Sequence, residues 1–214
     1  MKLNMIFLFF VFAYANTCFA QDEKGFIQLK NEGNAALREQ NYKDALELYE
    51  AAFAIWPEDE SPDGATFFNT AECARRLNIH DKALEYYKQA KDLNFRPDRS
   101  AYFMAVALRG LEREEEMEQM LLFAIDTYKT STIMAQIKKM LVTYYLKQGA
   151  EPYNRAAQIL ASAANANPSQ FDEITQRANQ SFAEAKPWFE KALEIDPENE
   201  NAVAALREIN NKLK

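Results

Sequence analysis

The chain has 214 residues, 48% hydrophobic and 27% charged, a balance that excludes disorder along its whole length and is sufficient for a buried core. Five glycines, valine only at Val11, Val106, Val142 and Val203, and long stretches rich in Ala, Leu, Glu, Lys and Gln exclude a sheet-based fold and predict an all-α one. A formal charge of -7 argues against nucleic acid and anionic lipid as partners, and one His with two Cys leaves too little stock for a His/Cys metal site or a disulfide framework, so no cofactor is expected.

Residues 1–20 read as a signal peptide. Lys2 gives a positive start and Leu3 to Ala15 an apolar run containing Phe7, Phe9, Phe10 and Phe12. As a helix the run reaches about 20 Å, short of the roughly 30 Å of bilayer hydrocarbon, so no transmembrane span is expected in the mature chain. Small Cys18 and Ala20 flank Phe19, and cleavage after Ala20 would leave a chain beginning at Gln21 and working outside the cytoplasm, in a bacterial periplasm or at a cell surface. In the alternative, Cys18 carries lipid and tethers the protein to an envelope membrane; the preceding Ala15-Asn16-Thr17 departs from a lipoprotein box at two places. Cys73, between Ala71 and Ala74's helix neighbours, is expected to fill a small apolar space.

From residue 26 onward one phrase recurs: Ala45, Tyr49, Ala52, Pro57; Ala83, Tyr87, Ala90; a degenerate Met117, Leu121, Ala124; Ala156, Leu160, Ala163, Pro168; and Ala185, Phe189, Ala192, Pro197. Offsets of four, three and seven place each set on one helical face, where Ala permits close approach and the large residue fills the gap. The proline stops the helix. Partner helices precede these: Leu29, Gly33 and Ala36; Phe67, Ala71 and Ala74; Ala101, Met104, Ala105 and Leu108; Ile137, Met140, Leu141 and Tyr144. Turns are expected at Asn41 to Asp44, at Asn78 to Asp81, near Gly110, and around Gly149 within Gln148 to Asn154. Phe171 to Ile195 has no turn signal before Ala185 and reads as one long helix strained near Pro187. Glu198 to Lys214 reads as a polar capping helix with Val203, Leu206, Ile209 and Leu213 facing inward.

This phrase resembles the second helix of a tetratricopeptide repeat, a 34-residue helix-turn-helix unit. The resemblance divides 21–197 into repeats at about 26–59, 64–97, 98–131 and 134–170, with a partial or irregular one at 171–197 and a cap at 198–214. It implies a right-handed α-solenoid of stacked helix pairs with a long C-terminal helix, and a concave groove that binds a peptide or protein segment without chemical change. Within that groove Lys30, Asn34, Asn69 and Arg99 resemble four of the five positions of the carboxylate clamp of heat-shock co-chaperones, with Phe103 where the family places a fifth, basic residue. The competing reading makes these polar residues an ordinary solvated face.

Other features read as structural. The tyrosines coincide with packing positions, Glu112 to Glu116 opens a helix whose dipole favours carboxylates, and His80 beside Asp81 lies at a turn without a nucleophile motif. No phosphate loop, nucleophile elbow or zinc-protease motif occurs, so no residue supports an enzyme. Three functions stand in order: a non-catalytic extracytoplasmic interaction scaffold with a protein or peptide partner, a lipid-anchored structural component of a bacterial envelope complex, and an enzyme without recognisable motifs.

Overall fold

The computed structural model describes residues 25–214. The signal peptide, its cleavage after Ala20 and the Cys18 alternative lie outside the described residues. Among those described, every regular element is helical: α1 (25–38), α2 (Tyr42–Ala54), α3 (Gly64–Arg76), α4 (His80–Asp92), α5 (Pro97–Gly110), α6 (Glu114–Thr127), α7 (Met134–Ser162), α8 (Phe171–Ile195) and α9 (Glu200–Lys212). Short 3-10 turns at Ala163–Asn165 and Pro168–Gln170 connect α7 to α8. The chain divides after Ala124 into two compact units.

In the first unit the alternation of helix and tight corner has a repeated local cause. Gln40, Asn78 and Glu112 adopt left-handed backbone, with φ of 61°, 59° and 59°. Each lets the next N–H reach five residues back: Asn41 donates to the Ala36 carbonyl, Ile79 to Ala74 and Arg113 to Leu108, all at 2.9 Å. These bonds satisfy carbonyls that a helix C-terminus leaves open. Asp63 starts α3 by accepting the Thr66 N–H at 2.8 Å, and Pro97 occupies the first turn of α5, where its missing N–H costs nothing. The turn expected near Gly110 is present, formed at Leu111 and Glu112 just after it. No glycine among the described residues has positive φ, and Gly110 instead provides room for the His80 ring, which would lie 2.5 Å from an added β-carbon.

The recurring phrase marks the core. Ala45, Tyr49, Ala52, Ala83, Tyr87, Ala90, Leu121 and Ala124 are fully buried, and Met117 nearly so. Tyr49 lies over Gly33 of α1, where a β-carbon would be 3.0 Å from the ring. Phe68 meets Tyr87 edge-on at 5.3 Å, a favoured aromatic geometry. Cys73 is buried, and burial pushes its thiol up to about 12, so it fills space as expected and is a poor nucleophile.

A charged group sits half-buried at the edge of this core. The Glu72 carboxylate accepts from the Arg75 guanidinium at 2.5 and 2.9 Å, from Arg76 at 2.9 Å and from the Tyr87 hydroxyl at 2.8 Å. Burial alone would raise its carboxyl; the hydrogen bonds outweigh burial and hold it below the usual carboxylate range.

The second unit is a long antiparallel hairpin of α7 and α8, capped by α9. Its pairing corrects two expectations. There is no turn within Gln148 to Asn154: α7 runs unbroken through Gly149 and Pro152. The set Ala156, Leu160, Ala163, Pro168 is consequently not a second helix. Ala156 is buried at the end of α7, Leu160 is half-buried, and Pro168 belongs to a 3-10 turn. The partner of Phe189 is Gly149, whose added β-carbon would stand 3.0 Å from the ring, the same distance as at Gly33 and Tyr49. Tyr153 packs edge-on against Phe182 and Phe189, and Ala178, Ala185 and Ala192 are fully buried. Helix α8 passes through Pro187 without a break. In α9, Asn199 caps by accepting the Ala202 N–H at 3.2 Å, and the buried stripe is Ala202 and Ile209. Ile209 is inside as expected, whereas Val203 is 47% exposed, its neighbour Ala202 taking the buried place, and Leu213, just past the helix end, is 36% exposed.

Because the folded Glu72 carboxyl lies below its unfolded value, its contribution is complete above about 4.5 and is lost as pH falls through the lower, folded value. Glu72→Gln is expected to destabilise the protein by about 1–3 kcal/mol at pH 7, since Arg75 loses its charged partner in a largely buried place. Urea melts at pH 7, 5, 4 and 3 should show the gap from wild type constant down to pH 5 and narrowing below it. A gap unchanged at pH 3 would show that the carboxylate charge is not what Glu72 contributes.

Candidate functional site

The residues singled out in the sequence divide into a connected group and two outliers. Lys30 and Asn34 lie one turn apart on α1, and Asn69 lies on α3, the first helix of the next pair. The Asn34 side-chain oxygen accepts the Tyr49 hydroxyl at 2.7 Å and the Asn69 amide at 3.3 Å. One acceptor thus ties the ring that seats α2 on α1 to the polar face of α3. With that oxygen used inside the protein, the Asn34 amide N–H groups and the Asn69 carbonyl remain for a ligand. Burial raises the Tyr49 phenol to about 12, so it stays a neutral donor to Asn34.

Lys30 reaches the same neighbourhood with a partner of its own. Its Nζ is 3.3 Å from Asp63 Oδ2 and 5.7 Å from the centre of the Trp56 ring. Asp63 also receives the Thr66 N–H and, at 3.1 Å, the Thr66 hydroxyl. Burial would raise the Asp63 carboxyl, but these donors and Lys30 together hold it below the ordinary range. The Lys30 charge is therefore shared with a carboxylate, and an incoming anion must compete with Asp63.

The other two residues stand apart from this group. Arg99 is exposed in the first turn of α5 and makes no hydrogen bond to Lys30, Asn34 or Asn69 among the described residues. Phe103 stacks on Tyr87 at 5.3 Å and meets Phe68 edge-on at 6.3 Å. It is a packing residue on the α5 side of the core. The Arg75 guanidinium lies 4.8 Å from the Phe103 ring centre, so a cation does stand beside the position the family gives to a basic residue, though Glu72 already neutralises it.

Sequence reasoning missed Asp63, Tyr49 and Arg75 as members of this neighbourhood. Asp63 carries a helix-start signal three residues before Thr66, which accounts for its cap but not for Lys30. The contact of Arg75 with Phe103 crosses from α3 to α5 and leaves no mark in local spacing. Elsewhere, Glu114, Glu115 and Glu116 of the acidic run form the first turn of α6 as expected, Glu112 forms the corner before it, and Arg113 clasps Glu116 through two bonds of 2.6 Å. His80 packs against Gly110, and its buried Nδ1 has no partner among the described residues. Also among these residues, no group of His, Cys, Asp and Glu is placed to hold a metal, and no helix is long and apolar enough to cross a membrane.

The family models described as Tetratricopeptide repeat match residues 27–94 and 175–199. Sperm-associated antigen 1 of Mus musculus is 33% identical over 95 residues, which are 44% of this chain and 10% of that protein. The Hsp70/Hsp90 co-chaperone CNS1 of Saccharomyces cerevisiae is 28% identical over 95 residues, 44% of this chain and 25% of that protein. The chain thus spans between a tenth and a quarter of the length of these curated relatives. Among solved structures, a TPR repeats protein of Bacteroides fragilis superposes with a TM-score of 0.53 at 21% identity, covering 87% of this chain and 98% of its own. The MamA protein superposes at 0.50 with 12% identity, covering 88% and 92%. Both are likenesses of fold. Tyr49 and Phe189, each set against a glycine, lie within the two segments, 27–94 and 175–199, that match the tetratricopeptide repeat.

Proposed function

We propose that the protein is a non-catalytic interaction scaffold that works outside the cytoplasm and binds an extended peptide segment across Lys30, Asn34, Asn69 and Arg99. The observation carrying this reading is the Asn34–Asn69 hydrogen bond. It aligns two amide side chains from successive first helices at a spacing a peptide backbone can bridge, with Lys30 beside them. At the fifth position the Phe103 ring, packed on Tyr87, carries the Arg75 guanidinium beside it. The resemblance to a yeast protein named an Hsp70/Hsp90 co-chaperone supports a protein as the class of partner. Lys30 selects for a terminal carboxylate only to the extent that a ligand displaces Asp63, so selectivity for free C-termini is expected to be modest.

A peptide ending in acidic residues, with free or amidated C-terminus, should be titrated against wild type, Lys30→Ala and Asn69→Ala. The free acid is expected to bind wild type several-fold to about tenfold more tightly than the amide, a difference Lys30→Ala removes. Asn69→Ala should weaken both forms alike. Equal affinity of both peptides for all three proteins would exclude this face as the site.

The location rests on Lys2, the apolar run to Ala15 and the small residues at Cys18 and Ala20. Mass spectrometry of protein recovered from a bacterial envelope should find a chain beginning at Gln21. An acylated Cys18 would mean a tethered protein, and an intact Met1 would contradict cleavage after Ala20.

A further inference from the structure

A second surface shares no residue with the face just described. Helices α4, α5 and α6 enclose a groove of about 670 Å³ whose floor and walls are Leu84, Met104, Leu108, Leu111, Met120 and Phe123. Met104 and Leu108 are buried at its base, and Phe123 is 45% exposed at its edge. Along α4 the lining residues are Asp81, Leu84, Glu85 and Lys88; Arg113 stands just before α6, and Glu116, Gln119, Met120 and Phe123 line the groove from α6 itself. Asp81, Glu85 and Lys88 on α4, and Glu116, Met120 and Phe123 on α6, each recur at three or four residues, so both walls carry a helical ridge of about two turns, or roughly 10 Å. A trough between two such ridges has the form that a third helix fills, with its own ridge in the groove.

The charges on its rim select the sign of that helix. Arg113 and Glu116 neutralise each other through their paired bonds. Asp81 and Glu85, both exposed and one turn apart, then dominate the opposite wall, with Lys88 a turn further on. The rim is acidic over an apolar floor. We propose that this groove docks an amphipathic helix of a partner protein that presents large aliphatic side chains at i, i+4 and i+7 and basic side chains flanking them. The apolar face displaces water from Leu84, Met120 and Phe123, while Lys or Arg of the incoming helix pairs with Asp81 and Glu85. The rim pairs govern the choice of partner more than the strength of binding.

The test uses a fluorescently labelled 16-residue Ala-based helix carrying Leu at those three positions with Lys on either side, and its twin with Glu replacing Lys. Anisotropy titrations are expected to show wild type binding the Lys peptide at least about tenfold more tightly than the Glu peptide at low salt, with the difference shrinking as salt rises. The exposed double variant Asp81→Lys/Glu85→Lys should reverse the preference, and Phe123→Asp should abolish binding of both peptides while circular dichroism stays that of wild type. Equal affinity for the two peptides, no binding of either up to about 1 mM, or a preference unaffected by Asp81→Lys/Glu85→Lys would overturn the proposal, whether or not Phe123→Asp folds. Concentration-dependent dimers of the free protein that Phe123→Asp dissolves would assign the groove to a second copy of this chain instead, and would likewise overturn it.

Discussion

At Gly33 and again at Gly149 a helix approaches a facing aromatic ring so closely that a single added carbon would stand 3.0 Å from it. Tyr49 and Phe189 can approach those backbones so closely only because nothing projects there, and the contact sets how near the two helices lie. The remaining core follows from that constraint. Alanines on either side of the ring, at Ala45 and Ala52 and at Ala185 and Ala192, are fully buried because larger side chains would lift the helices apart. The Tyr49 hydroxyl, carried to the far edge of the pair by the same packing, then meets Asn34 and sets the polar face on which the peptide-binding proposal rests.

The helical hairpins of the first unit are legible in the sequence because their information is local and repeated. An Ala-aromatic-Ala phrase gives the buried face, and the turn signals at Asn41 to Asp44 and Asn78 to Asp81 separate the helices. The corners are less legible, since Gln40 and Glu112 take a left-handed backbone that their residue types do not advertise. The second unit shows where local reasoning fails. Ala156, Leu160, Ala163 and Pro168 have the spacing of the phrase, yet any amphipathic helix that ends before a proline has it too. What decides the matter is Gly149. Glycine serves either to turn the chain or to make room, and only the position of Phe189, forty residues away, tells which. The same ambiguity applies at Gly110, which makes room for His80.

Side-chain roles at the candidate site divide along the same line. Lys30, Asn34 and Asn69 are recognisable from family resemblance, and they gather on one face. Asp63 and Arg75 are not, because their partners Lys30 and Phe103 lie on other helices. Both residues change the chemistry of the site. Asp63 shares the charge of Lys30, and Arg75 places a neutralised guanidinium where the Phe103 ring would otherwise present a purely apolar surface. The face is thus less cationic than its sequence suggests and better suited to reading a backbone than to capturing an anion.

The role of the ring and its small partner is tested most directly by a double-mutant cycle at the first hairpin. Gly33→Val, Tyr49→Leu and their combination should be compared by urea unfolding. If the ring fills the space that Gly33 leaves, Gly33→Val alone costs about 1–3 kcal/mol, and that cost falls by at least about 1 kcal/mol when Leu replaces the ring. An equal cost in both backgrounds would mean that the two residues do not set each other's position, contradicting the account of how these helices pair.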